Sequence, residues 1–259
     1  RQSIYLSLTP KRANSLQNHS LSIFGDILNP SVLQKSCAGV DAIFHMVAQP
    51  SVAKSAKNPL EDFRLNTVTT LNVLEQARKK DIKNVVFASS STVYGTASLP
   101  TRETHPLSPI SNYGASKAAA EAYCFSYGAL YGLRTTILRY YNVYGPRSRK
   151  GVMFDLVEKM KKSPNRIKVL GTGKQRKDYI YIDDAVNATI LTWKKAKMGA
   201  EVYNVGSGKA YTVKEVVNLL FRVMRLKNAR ATYTGGISWP GDVQETLADI
   251  SKVKKLGFV

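Results

Sequence analysis

Asn84-Val85-Val86-Phe87-Ala88-Ser89-Ser90-Ser91-Thr92-Val93-Tyr94-Gly95 decides how this 259-residue chain is read. An apolar run passes directly into hydroxyl side chains. Such a run fits a strand covered on both faces, as strands of parallel sheets are. Helical patterns flank it. Upstream, Leu60, Phe63, Val68, Leu71 and Leu74 recur at helical spacing and predict a helix from about Leu60 to Lys79. Downstream, a helix is expected from about Ser116 to Tyr131, then a strand from Thr135 to Tyr140. Strands alternating with helices build βαβ units and a doubly wound parallel sheet of the α/β class.

Further out the same rhythm continues. Leu21-Ser22-Ile23-Phe24 reads as a strand ending at Gly25-Asp26, and Asn29-Pro30-Ser31 opens a helix with Pro in a favoured first-turn position. Val40 to Ala48 reads as another strand. The later part is less regular, with helices expected at Val152–Lys161, Asp184–Lys195 and Val213–Met224. Gly171-Thr172-Gly173 and Gly206-Ser207-Gly208 are turns, and neither fits the P-loop pattern. There is no internal repeat and no low-complexity segment.

Composition narrows the class. With 44% hydrophobic residues the chain suffices for one large domain, or a large one with a smaller lobe. No apolar run approaches the ~20 residues that span a bilayer, and Arg1-Gln2-Ser3-Ile4-Tyr5-Leu6 does not open a signal peptide. A cytoplasmic protein without a membrane partner is expected. Cys37 and Cys124 form no CxxC pattern, so buried, reduced thiols and no metal site are expected. The formal charge of +20 raises nucleic acid as a partner. Yet Lys and Arg are spread along the chain, with modest clusters at Lys194-Lys195-Ala196-Lys197 and Arg147-Ser148-Arg149-Lys150 and no nucleic-acid-binding motif. A generally basic surface, favouring an anionic substrate, is the reading taken.

The chemistry centres on Tyr113-Gly114-Ala115-Ser116-Lys117. Tyr and Lys four apart at a helix start share a face. A lysine cation beside a phenol favours the phenolate and lowers its pKa, which suits general acid–base work near neutral pH. Alone the spacing is weak and fits an ordinary surface Tyr and Lys. Its context is the hydroxyl run Ser89 to Thr92, about twenty residues upstream, at the carboxyl end of a strand, where parallel sheets present reactive groups.

These two segments, with Arg139-Tyr140-Tyr141-Asn142-Val143-Tyr144-Gly145-Pro146-Arg147, resemble the extended short-chain dehydrogenase/reductases, and within them the UDP-glucose 4-epimerases. Val40-Asp41-Ala42-Ile43-Phe44-His45 leading into Ala48-Gln49-Pro50-Ser51-Val52, and Asn66 in Phe63-Arg64-Leu65-Asn66-Thr67, are similar to earlier landmarks of that family. Asp178 to Asp184, Tyr203-Asn204-Val205-Gly206-Ser207-Gly208 and Pro240-Gly241-Asp242-Val243 match later ones in order. The resemblance runs from about Ser20 to the end.

What it implies is specific. The fold would be a Rossmann-type doubly wound sheet with a smaller C-terminal substrate lobe. Residues 1–142 plus about 176–198 would form the dinucleotide-binding domain, and about 143–175 plus 199–259 the lobe. Tyr113 would shuttle a proton on the sugar hydroxyl, Lys117 would bind the nicotinamide ribose and hold Tyr113 ionised, and Ser90 would hydrogen-bond the reacting oxygen. NAD is the implied cofactor, with Asp26 and Ile27 bordering its adenine and Ala48, Asn66, Ser89, Tyr113 and Lys117 around it. Asn142, Lys177 and Asp242 would join Ser90 and Tyr113 on a nucleotide-sugar substrate. The implied reaction inverts C4 through a 4-keto sugar. A homodimer through the helices at about 60–79 and 116–131 follows by the same resemblance.

The chain also departs from the pattern. The family's GxxGxxG loop is missing, since the first glycine is Gly25. A segment of roughly 25–35 residues, judged from the ~30-residue size of a βαβ unit, is expected to precede Arg1; a protein that truly lacks the loop is the alternative. If Ser3-Ile4-Tyr5-Leu6-Ser7 is the second strand, it ends without the carboxylate that meets an adenosine ribose, and Lys11 and Arg12 follow. Lys177 and Trp239 stand where many relatives carry arginine. Another reaction of the family (dehydration, decarboxylation, reduction), a non-catalytic binding protein on this fold, and a nucleic-acid binder are the rival readings. Ser91-Thr92, where dehydratases usually carry Asp-Glu, disfavours dehydration. His19, His45 and His105 form no evident catalytic group.

Overall fold

The computed structural model describes residues 3–5, 20–23, 25–236 and 239–259. Lys11, Arg12 and His19 lie outside the described residues. In chain order, β1 (Ser3–Tyr5) and β2 (Ser20–Ser22) pair in parallel, and α1 spans Pro30–Ser36. Asn29 caps α1 by accepting from the Ser31 N–H at 3.1 Å, with Pro30 in the first turn. Next come β3 (Ala42–His45), α2 (Val52–Lys57), α3 (Pro59–Phe63), α4 (Thr69–Lys79), β4 (Asn84–Ser90), α5 (Asn112–Tyr131) and β5 (Arg134–Tyr140). The second half holds β6 (Asn142–Tyr144), α6 (Val152–Lys162), β7 (Arg166–Val169), β8 (Arg176–Tyr181), α7 (Ile182–Lys195), β9 (Gly199–Val205), β10 (Ala210–Thr212), α8 (Val213–Val223), β11 (Arg230–Tyr233) and α9 (Ser251–Lys254).

A parallel sheet in the order β3-β4-β5-β9 forms the centre. Its strands carry apolar residues on both faces because both are covered. Val85, Phe87 and Ile137 join Leu74, Ala77, Cys124 and Tyr127 on the side of α4 and α5. Their neighbours Val86 and Leu138 point the other way, into Tyr203, Val205, Ala185, Ala188 and Val253 beside α7. A further core, from Leu156 and Met160 of α6, Ile167 and Val169 of β7 and Val216 and Val217 of α8, holds the region around the β7–β11 pair.

Several boundaries differ from the sequence reading. The expected helix over 60–79 is broken by a π turn at Arg64–Val68. There the Thr69 and Thr70 hydroxyls donate to the Leu65 and Asn66 carbonyls at 2.7 and 2.6 Å and draw them off the regular ladder. β3 ends at His45, and residues 46–51 leave the sheet, because the Gln49 N–H bonds the Asn66 side chain rather than a neighbouring strand. β9 was given to the lobe but extends the central sheet beside β5. Conversely, β8 was given to the dinucleotide domain but pairs with β6 and β10 in a separate sheet. Among the described residues no helix is long and apolar enough to cross a membrane. Cys37 and Cys124 are buried free thiols, and burial pushes both pKa values up.

Leu138, fully buried in mid-sheet, tests this core. Leu138→Ala is expected to lower unfolding free energy in urea by about 2–5 kcal/mol. A loss below about 1 kcal/mol would show the site is not packed on both sides as described.

Candidate active site

The carboxyl end of β4 passes into a short 3₁₀ turn, Ser91–Tyr94. Ser90 caps this turn, and its Oγ accepts from the Thr92 hydroxyl at 3.0 Å and the Thr92 N–H at 3.3 Å. Tyr113 approaches from the first turn of α5, near enough for the Ser90 hydroxyl to favour its phenolate. Three local features set that approach. Ser111 caps α5 by accepting from the Gly114 N–H at 3.1 Å. The Tyr113 N–H donates to Ser55 Oγ at 3.1 Å. And Gly114 has no side chain where a Cβ would stand 2.6 Å from the Thr92 carbonyl oxygen.

Tyr113 is 8% exposed. Burial pushes its pKa up to about 12; the Ser90 hydroxyl lowers it, and the Asp62 carboxylate raises it again. Lys117 is not among the groups that shift the phenol in the ligand-free site. Lys117 is 1% exposed and donates to the Ala88 carbonyl at 2.7 Å, with its ammonium 4.7 Å over the Phe87 ring. Burial brings its pKa down to about 8, against the opposing pull of Asp62, Cys124 and Glu121. His45, at the end of β3, is also buried, 3.0 Å from the Thr70 hydroxyl and stacked on Phe87. Burial, with the Lys117 charge, drops its pKa to about 3.

Two buried polar networks brace the site. In one, the Glu121 carboxylate receives Arg139 at 2.6 Å and the Ser89 hydroxyl. Arg139 also donates to Tyr94 Oη at 2.9 Å and to the Glu103 carbonyl at 3.0 Å. In the other, Asn66 accepts from the Gln49 N–H at 2.9 Å and donates to Gln49 O, Asp62 Oδ1 and Ser116 Oγ at 3.1–3.2 Å. Asn66 and Ser89 are thus bound to protein groups beneath the site. Asp62 and Glu121 were missed from the sequence, although each stands four residues along a helix from a residue already singled out, Asn66 and Lys117 respectively.

A cleft of about 1310 Å³ opens above these groups. That exceeds an ordinary small-ligand pocket and leaves room for two sizeable ligands side by side. Asp26, Ala48, Asn142, Lys177 and Asp242 line it, with Ser91, Thr92 and the basic Arg149, Lys150 and Lys159. Ser90, Tyr113 and Lys117 are not among its lining residues, and Ile27 belongs to the core, 2% exposed. Asn142 donates to the Asp178 carbonyl at 2.8 Å. Lys177 is held by Asp242 at 2.8 Å and by the Val243 carbonyl, so its charge is already balanced. Trp239 also lines the cleft and is 39% exposed.

The family model described as NAD dependent epimerase/dehydratase matches residues 5–206. The chain belongs to that family. It is 35% identical to the UDP-glucuronate 4-epimerase of Thermodesulfobacterium geofontis, over 84% of this chain and 66% of that protein. The UDP-glucose 4-epimerase of Thermotoga maritima, solved with UDP-glucose, is similar at 31% identity and a TM-score of 0.89, over 98% of this chain and 84% of that one. MoeE5, solved with UDP-glucose and NAD, gives 29% identity and a TM-score of 0.90, over 100% and 85% of the two chains. Other reactions occur among the matches: a UDP-N-acetyl-alpha-D-glucosaminuronate decarboxylase of Bacillus cytotoxicus (35% identity, 68% of this chain, 57% of that protein) and a dTDP-glucose 4,6-dehydratase of Streptomyces venezuelae (26% identity, TM-score 0.88, 99% of this chain, 81% of that one).

His45 makes stability pH-dependent. Its folded pKa lies below the unfolded 6.5, so the unfolded state binds the extra proton first and stability is lost as pH falls from 6.5 towards 3. At about 1.4 kcal/mol per pH unit, the loss reaches roughly 4 kcal/mol. His45→Gln is expected to flatten the fall in urea midpoint across that window, and an unchanged slope would show that His45 is not the group responsible.

Proposed function

We propose that this chain epimerises a nucleotide sugar at C4, of the UDP-glucose/UDP-galactose type, through a transient 4-keto sugar, with NAD as cofactor. The observation that carries the reading is the pair of buried hydroxyl groups, Ser90 and Tyr113, set near each other next to a cleft lined by Ser91 and Thr92. That turn is all hydroxyl and apolar, Ser91-Thr92-Val93-Tyr94, and supplies no carboxylic acid for eliminating water. It therefore favours oxidation and reduction at one carbon over dehydration. The described residues fit the cofactor: Asp26 is exposed at the cleft, Ala48 borders it without bulk, and Lys117 sits one helical turn below Tyr113. NAD, when bound, supplies the hydride acceptor and donor and brings a positive ring charge.

The residues of the chain do the rest. Ser90 donates to the reacting sugar oxygen while Thr92 fixes the orientation of its hydroxyl. Tyr113 takes the proton from the C4 hydroxyl and gives it back after the sugar has turned over. Its high proton affinity in the ligand-free site suits the return step, and the nearby Ser90 hydroxyl, which favours the phenolate, eases the forward one. Lys117 holds the nicotinamide ribose. Asn142 and the Lys177–Asp242 pair meet the diphosphate end, with Arg149, Lys150 and Lys159 adding positive potential. In this reading the sheet side carries the dinucleotide and the region around β6 to β8 and β11 carries the sugar nucleotide.

The test is turnover of UDP-galactose by the full-length protein with added NAD, with UDP-glucose resolved by chromatography. Tyr113→Phe is expected to lower kcat by about 10²–10⁴-fold. A 4-keto-6-deoxy product would instead assign dehydration, and carbon dioxide released when UDP-glucuronate is supplied would assign decarboxylation.

A cytoplasmic homodimer is part of the proposal. Leu60 of α3, Phe63 and, on α5, Tyr123, Leu130 and Tyr131 leave large apolar groups exposed on one helical side of the sheet. Size-exclusion chromatography with light scattering is expected to give twice the chain mass. A single-chain mass at all concentrations would remove the dimer.

A further inference from the structure

Asp62 is 1% exposed, and among the described residues it forms no ion pair. It accepts Gln49 Nε2 at 2.8 Å and Asn66 Nδ2 at 3.1 Å on one oxygen, and Ser116 Oγ at 2.7 Å on the other. These donors come from three places: the loop that leaves β3 and lines the cleft, the π turn, and the first turn of α5 between Tyr113 and Lys117. The Asn66 amide reinforces the joint by holding both backbone groups of Gln49. The Thr67 hydroxyl does the same for the Ser116 carbonyl at 2.9 Å.

Burying a carboxylate is costly unless donors and a counter-charge offset the lost water. Three hydrogen bonds supply the donors. The counter-charge is the buried ammonium of Lys117, on which Asp62 is the strongest charged influence. We propose that Asp62 is a positioning residue of the active site: its carboxylate clamps the Tyr113–Lys117 turn to the loop after β3 and supplies the negative charge that faces both side chains. The chemistry of an aspartate is needed, since an amide accepts through one atom where three donors converge. The inference rests on the roles proposed above, Tyr113 handling the proton and Lys117 holding the ribose.

The titratable groups that act on that pair come from several elements. Asp62 of α3 acts electrostatically on both; Glu121 and Cys124 of its own helix act on Lys117, and the Lys117 charge in turn acts on His45 of β3. Glu121 is already engaged by Arg139 and Ser89. Removing the Asp62 charge therefore acts on Lys117 in a way that loosening the packing does not.

The experiment titrates Lys117 by NMR in full-length protein labelled with carbon-13 at the lysine Cε, without sugar nucleotide. The resonance is identified by its loss in Lys117→Met. The wild-type midpoint is expected near pH 8, where burial places it. Asp62→Asn is expected to lower that midpoint by about half a unit or more, whereas Ser116→Ala, which keeps the charge, leaves it in place. An Asp62→Asn midpoint equal to wild type overturns the proposal. If Asp62→Asn lacks a folded circular-dichroism spectrum, Ser116→Ala decides: a kcat reduced about fivefold or more at unchanged KM supports the clamp, and a kcat within about twofold overturns it. The NMR midpoint needs no turnover, so failure of C4 epimerisation and failure of the Asp62 assignment are read separately.

Discussion

At Gly114 the first turn of α5 lies so close to the turn after β4 that an added Cβ would stand 2.6 Å from the Thr92 carbonyl oxygen and 3.0 Å from Pro109 Cβ. Much of the site depends on that approach. It places Tyr113 near Ser90, and one helical turn later it drives Lys117 beneath β4, onto the Ala88 carbonyl. Glycine loses more conformational freedom on folding than any other residue, so its presence here trades helix propensity for contact. The twenty-residue length of α5 offsets that cost by burying Ala120, Cys124 and Tyr127 against the sheet.

Around this contact the interior is unusually polar, and it is stable because nearly every group is satisfied. Arg139 and Glu121, 3% and 0% exposed, exchange several hydrogen bonds and draw in Ser89 and Tyr94. Tyr94 Oη donates to Asn204 at 2.7 Å, which carries the network across to β9. Asp178 is fully buried and accepts from Ser207 and Gly208 N–H groups, the Ser207 hydroxyl and the Ala248 N–H at 2.8–3.1 Å. Burial raises its pKa, and those four donors pull it back. Such networks hold only as wholes, because one missing partner leaves a desolvated group without compensation. They fix the ends of β4, β5, β8 and β9 from below, so the hydroxyls at the cleft start from a rigid base.

The central strands and helices were legible because their signals are strong and local. The apolar run at Asn84–Ser89, the caps at Asn29 and the helical spacing around Leu71 and Leu74 each correspond to an element in the structure. The family could be read from the ordered motifs. Other features depend on long-range pairing that no single window holds. β9 alternates too weakly to announce that it joins β5, and α2, six residues long, is too short for periodicity to show. At the site, Ser90 and Tyr113 could be singled out from the motifs. The electrostatics could not be read there. Four-residue spacing puts Tyr113 and Lys117 on one helix face, but only the packing shows that burial outweighs charge and that Lys117 is turned to Ala88. The protein partners of Asn66 and Ser89 likewise come from distant parts of the chain that no single window holds.

One measurement bears most directly on the claim that the site oxidises and re-reduces a single sugar carbon. UDP-glucose carrying deuterium at C4 is incubated with the full-length protein and NAD, and the UDP-galactose formed is analysed by mass spectrometry and NMR. The account predicts inversion at C4 with the deuterium kept at that carbon, because the hydride that leaves is the one that returns. Inversion with deuterium replaced by solvent hydrogen would contradict it and point to proton abstraction from carbon.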